Sequence, residues 1–277
     1  MSPPSNSSGS ELPELDLGGR DSLPIESITR ADPADENPPW TGWDVLQIGI
    51  LTIVSIFVFL IACSFAAQKL FFRNLEFVEV ARFPLITVFA QLLAYLLVLA
   101  FMASILKRAP GMPFWSAIGW NWPKKWQRYL LAGVVLSFVL QAVAHVLPMP
   151  KELPIDRFFQ TTAEAWALSI FGMTLAPLLE ELFFRGFLFP VLARRLGMFA
   201  AIALTAASFG LLHAPQLARA WGPVLVVFLV GLVLTITRAV TKSVAAGVLI
   251  HVAYNGTISV LIFIASGGFR HLDRLNQ

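Results

Sequence analysis

Seven apolar runs of about 20 residues each constrain this chain more than any other feature, because that is the length at which an α-helix crosses a hydrocarbon core about 30 Å thick. They lie at 43–67, 83–106, 129–147, 165–192, 198–213, 222–240 and 243–266. Lipid offers the backbone no hydrogen-bonding partner, so each run must satisfy its own N–H and C=O groups as a helix. The expected fold is therefore all-α, a polytopic membrane helix bundle of about seven transmembrane helices. Composition agrees: 57% of the residues are hydrophobic and 13% charged, where a soluble domain carries roughly 25% charged. The fifth run is short, and Ala214-Pro215 invites a break at its end.

Residues 1–40 read as a disordered acidic N-terminal tail, rich in Ser, Pro, Asp and Glu, ahead of an integral membrane domain at 41–277. A secretory signal would place a basic region and a short apolar core near the start, and this segment has neither. The net charge of +3 comes from scattered Lys and Arg with no basic run, which argues against a nucleic-acid partner. The lone cysteine, Cys63, has no intrachain disulfide partner. The tryptophans, Trp40 included, fall near span ends as interfacial anchors should, and the loop 107–125, mixing Trp, Pro and Lys, is expected at headgroup level. Basic residues divide eleven to eight between the two sides, an excess that puts the N-terminus in the cytoplasm. The expected location is a bacterial cell (inner) membrane, spanned several times.

One apolar run carries charge. Pro177-Leu178-Leu179-Glu180-Glu181-Leu182-Phe183-Phe184-Arg185-Gly186 puts two acids and a guanidinium at membrane depth, where each costs about 2.5–3.5 kcal/mol on insertion scales and so demands a partner, a cavity or a function. Glu181 and Arg185 stand four apart with the acid first, the favourable order for an ion pair on one helix face. Glu180 sits about 100° around the helix and points elsewhere. Thr161 and Glu164 have capping-box spacing, which starts this helix, and Pro177 predicts a kink within it. Two further polar pairs have helical spacing on later runs: Phe209 with His213, and His251 with Asn255. At about 1.5 Å per residue from one membrane face, Glu180 comes out at about 18 Å, His213 at about 24 Å and His251 at about 12 Å, close enough for one shared cavity.

These three ordered motifs, Glu180-Glu181-x-x-x-Arg185, Phe209-x-x-x-His213 and His251-x-x-x-Asn255, resemble those of the CAAX-protease and bacteriocin-processing (CPBP, or ABI) intramembrane endopeptidases, whose type member is the Ras-converting CAAX endopeptidase. The resemblance covers about 161–266, and this chain has seven runs where some relatives have eight. It implies hydrolysis of a peptide bond at membrane depth. Glu180 and His213 would activate a water, His251 and Asn255 would stabilise the oxyanion, and Glu181, Arg185 and Phe209 would support the site. The chemistry is sound in itself: a water needs a base to become a nucleophile, and a tetrahedral intermediate needs preplaced donors. No cofactor is expected. Zinc on Glu180, His213 and His251 is the open alternative, although the H-E-x-x-H signature of soluble metalloproteases is absent. The implied partners are the lipid bilayer and a membrane-anchored or lipidated protein or peptide substrate. A non-hydrolytic scaffold, chaperone or immunity protein using the same cavity is the competing reading, and a proton-coupled transporter a third. Gln47, Gln91, Gln141 and His145 read as polar groups between helices or near the interface, without a functional role.

Overall fold

A computed structural model describes residues 38–107, 111–150 and 161–271, so the expected tail lies outside the described residues except for 38–40. Helix α1 (Gly42–Leu70) begins where Thr41 and Asp44 cap one another, the Thr41 N–H donating to the Asp44 carboxylate at 2.8 Å. After a short helix α2 (Phe77–Ala81) the chain returns as α3 (Pro84–Leu106), with Pro84 at its first turn, where the missing N–H costs nothing. A short α4 (Phe114–Ala117) leads to α5 (Trp126–Ala144). The charged run is a broken helix: α6 (Thr162–Met173), α7 (Leu175–Glu181), a π-helical segment (Leu182–Leu188) and α8 (Phe189–Leu196). Then come α9 (Met198–His213), a 3-10 turn (Ala214–Leu217), α10 (Trp221–Thr241) and α11 (Val244–Ala265).

Among the described residues seven helical stretches are long and apolar enough to cross a membrane, and the protein is an integral, multi-pass membrane protein. The fourth is the longest, Thr162–Leu196. It begins at the expected capping box, with the Thr161 N–H donating to Glu164 at 3.0 Å. Helices α1 and α3, α5 and α11, and α9 and α10 pack as pairs, and the broken helix runs among all three pairs. Pair α5–α11 closes on Gly133, where an added Cβ would come within 2.7 Å of the Ala253 Cβ. Small residues of this kind let membrane helices approach closely enough for dispersion to hold them. Large apolar side chains such as Phe57, Phe138 and Ile264 face outward, as a lipid-facing surface requires.

Two expectations at the membrane surface change. Trp40 is buried, because its indole N–H donates to the Phe187 carbonyl of the π-helical segment at 2.9 Å and its ring packs on Phe187 with centroids 4.4 Å apart. The loop around α4 does more than rest among headgroups. Ile118 is buried under Gly186, the Gly119 carbonyl accepts from the Val244 N–H at 2.9 Å, and the Asn121 carboxamide donates to the Lys242 carbonyl at 2.9 Å. The loop thereby plugs one end of the bundle beneath the charged helix.

Candidate active site

Pro177 has no N–H to give, and its ring crowds the carbonyl four residues back, so the helix breaks one turn earlier. Thr174 takes up the break at φ −122 and ψ −76. Breaking a helix inside a membrane frees carbonyls that must find other donors. Asn255 supplies one, its Nδ2–H donating to the Gly172 carbonyl at 2.7 Å. Beyond Glu181 the helix widens to π geometry, closed by the Phe189 N–H donating to the Phe184 carbonyl five residues back. Such segments are rare and frequent at functional sites. Glu180 and Glu181 therefore end a short helix with irregular backbone on either side.

Glu181 and Arg185 are both fully buried. Arg185 Nη1 donates to Glu181 Oε1 at 2.8 Å, Nη2 to the Gly231 carbonyl at 2.8 Å and Nε to Thr235 Oγ1 at 3.2 Å, while the guanidinium lies 4.8 Å from the Phe209 ring centroid. Paired and hydrogen-bonded in this way, a charge can exist at membrane depth. Glu181 does more than neutralise Arg185, however. The same Oε1 accepts from His251 Nδ1 at 3.0 Å, which joins the ion pair to the second group of polar residues.

Gly247 makes room for this arrangement. It stands one turn before His251 on α11, and a Cβ there would come within 2.6 Å of Glu181 Oε2. Gly247→Ala is expected to cost about 1–3 kcal/mol of stability by overpacking and to remove the downfield, slowly exchanging Nδ1 proton signal of His251 in a histidine-labelled NMR spectrum. Adding Glu181→Asp, which shortens the acid, should recover part of the stability. If both the unfolding midpoint and the proton signal survive Gly247→Ala, the carboxylate is not crowded against this position.

Glu180 faces the cavity, about one-fifth exposed. Its Oε1 lies 3.8 Å from His213 Nε2 and its Oε2 lies 3.8 Å from His251 Nε2. The far sides of both imidazoles are engaged: His213 Nδ1 donates to the Phe209 carbonyl at 2.8 Å, as His251 Nδ1 does to Glu181. A carbonyl and an ion-paired carboxylate only accept, so each neutral ring carries its proton on Nδ1 and turns an Nε2 lone pair toward Glu180. Phe209 backs the whole group, its ring centroid 4.6 Å from that of His213 and 5.7 Å from that of His251. The cavity, about 470 Å³, is lined by these residues together with Asn255, Gln91, Phe171 and Tyr254.

Of the residues singled out from sequence, Glu180, His213 and His251 converge on one point. Their estimated depths differed, and the count to Glu180 crosses the π-helical segment, where the α-helical rise of the count does not hold. Asn255 lines the same cavity with one carboxamide hydrogen committed to Gly172. Glu181 and Arg185 form the expected pair, and Glu181 also holds His251. Sequence reasoning missed Gly247, Thr235 and Trp40; of these, Gly247 had a signal, its position four before His251 on one face.

A carboxylate and two imidazoles are ligand types that bind zinc, yet the 3.8 Å from Glu180 Oε1 to His213 Nε2 and from Glu180 Oε2 to His251 Nε2 is wider than the about 3.4 Å edge of a tetrahedron with bonds of about 2.1 Å. Among the described residues no group of three or more His, Cys, Asp or Glu is placed to hold a metal ion. In comparison with known proteins, the family described as type II CAAX prenyl endopeptidase Rce1-like matches residues 162–257, a span that holds Glu180, His213, His251 and Asn255. No curated protein and no solved structure matches the chain.

Proposed function

We propose, from the premise that residues 162–257 are of the Rce1-like type II CAAX prenyl endopeptidase family, that this protein is an intramembrane endopeptidase acting on a membrane-associated protein or peptide. The observation that carries the reading is the convergence of the Glu180 carboxylate with the Nε2 atoms of His213 and His251 in an apolar-walled cavity. A separation of 3.8 Å is too long for a direct hydrogen bond, and a water bonded to both sides spans it.

In the proposed reaction Glu180 takes a proton from that water as its oxygen bonds to the scissile carbonyl carbon. His213 Nε2 accepts the water's other hydrogen and so aims the oxygen. The carbonyl oxygen becomes an oxyanion, which the remaining Nδ2–H of Asn255 stabilises, with His251 donating when it carries a second proton. The proton on Glu180 then passes to the leaving nitrogen, the C–N bond breaks, and a carboxylic acid and an amine are released. Glu181 holds the His251 ring in place throughout, which makes it a positioning residue rather than a purely structural one. The reading places the enzyme in a bacterial cell membrane with its N-terminus cytoplasmic, on the strength of the resemblance and the basic-loop bias.

The family description names the substrate to try first, a prenylated CAAX sequence. Purified protein in detergent is expected to release the residues after the cysteine from a farnesylated CAAX peptide, and an intact peptide would overturn the reading for this substrate class. Activity should persist through a chelator series and gain nothing from added zinc. Loss to chelator with recovery on zinc would instead give the water-activating role to a metal held by Glu180, His213 and His251.

A further inference from the structure

Helix α3 crosses the membrane with few polar side chains, and three of them, Thr87, Gln91 and Tyr95, recur every fourth residue on one face. That face is turned to the chemistry. Thr87 and Gln91 line the cavity that holds Glu180. Gln91 Nε2 donates to the Tyr95 hydroxyl at 2.9 Å, and the Tyr95 ring stacks on Phe171 with centroids 5.7 Å apart and planes 21° from parallel. Helix α3 lies outside the segment that carries the family pattern, so the roles of Glu180, His213, His251 and Asn255 do not explain a carboxamide here.

A primary carboxamide has two N–H donors and a carbonyl with two lone pairs, and the bond to Tyr95 uses one donor. A peptide drawn into this cavity brings an N–H and a C=O for every residue, away from water that could satisfy them. Most of the wall answers neither, since Phe171, Phe209, Val227 and Val230 present hydrocarbon. Gln91 answers both, and its bond to Tyr95 fixes the plane of the amide before substrate arrives.

We propose that Gln91, oriented by Tyr95, binds the main chain of the peptide substrate beside the scissile bond, as a specificity residue contributed by the N-terminal helix pair. The inference rests on the endopeptidase reading above. It predicts an effect on binding rather than on the chemical step, because Gln91 meets backbone groups that are equally present before and after the attack.

The test uses the full-length protein in detergent and an internally quenched, farnesylated CAAX peptide, with an ester-scanned set in which one backbone N–H at a time is replaced by oxygen. Gln91→Met keeps the length of the side chain and suits a membrane helix. It should raise KM by about threefold to tenfold, the range of one or two net hydrogen bonds, with kcat within about twofold. Tyr95→Phe keeps the ring stack, loses the hydroxyl and should raise KM by less. One ester position should weaken binding to the parent and make no further difference in Gln91→Met. An uncut peptide with the parent protein overturns the endopeptidase reading and this inference with it. A parent that cuts, beside a Gln91→Met variant whose KM is unchanged or whose kcat falls instead, or ester effects that simply add to the variant's, overturns this inference alone.

Discussion

Glu180→Gln should reduce kcat by about 10³-fold or more, within the upper range seen when a positioned general base is lost, while the protein stays folded and still binds its substrate. Glutamine has nearly the shape of glutamate, so the cavity and both imidazoles keep their places. What disappears is the proton acceptor between His213 and His251. Glu180 is also the acid whose charge is not tied up in the Arg185 pair, so removing it strands no buried cation. The decisive measurement is single-turnover cleavage by the variant beside a thermal unfolding curve. Normal cleavage would place the base elsewhere. A phenotype in cells that tolerates both Glu180→Gln and His213→Ala, with folding intact, would favour the scaffold over the enzyme. The same inactive variant should retain its substrate, so identifying the protein that co-purifies with it would name the target.

Arg185→Met should cost about 3–5 kcal/mol of stability, because it leaves the Glu181 carboxylate buried without its counter-charge. Three hydrogen bonds, to Glu181, Thr235 and Gly231, go with the guanidinium. Much of the variant should fail to reach a monodisperse folded form in detergent. Replacing both partners, Glu181→Leu with Arg185→Met, should recover most of that stability, since an apolar pair leaves no unpaired charge. Activity should not return with it, because His251 Nδ1 then lacks the acceptor that fixes its ring. A double variant that is both stable and active would show the Glu181–His251 bond to be irrelevant to turnover. If Arg185→Met unfolds at the parent's temperature, the pair does not hold the bundle.

The broken helix shows how far local sequence reaches. Pro177 announces a kink, and the kink is there, placed at Thr174 by the carbonyl that the proline ring crowds. The π-helical segment was not legible, since Leu182–Leu188 reads as ordinary apolar helix. Its geometry depends on partners far away in the chain, such as Trp40, which caps the Phe187 carbonyl across 147 residues. For the same reason Trp40 looked like an interfacial anchor, and nothing in its spacing set Gln91, which lines the cavity, apart from Gln47 or Gln141. Both classifications rest on what neighbouring elements do, which spacing along one helix does not encode.

The chain alone determined that it spans a membrane as helices, because continuous apolar runs of about 20 residues satisfy their polar backbone groups in lipid by coiling within each run. It also determined that Glu181 pairs with Arg185, a contact made within one turn. Tertiary structure decided how the two acids divide their work. Spacing separates Glu181 from the histidines, whereas packing of α11 against α7, with Gly247 at the contact, brings His251 onto Glu181 and leaves Glu180 facing the cavity. The physical reason is range: a bond between neighbours on one helix follows from its pitch, whereas a bond across 70 residues follows from how two helices lie against each other.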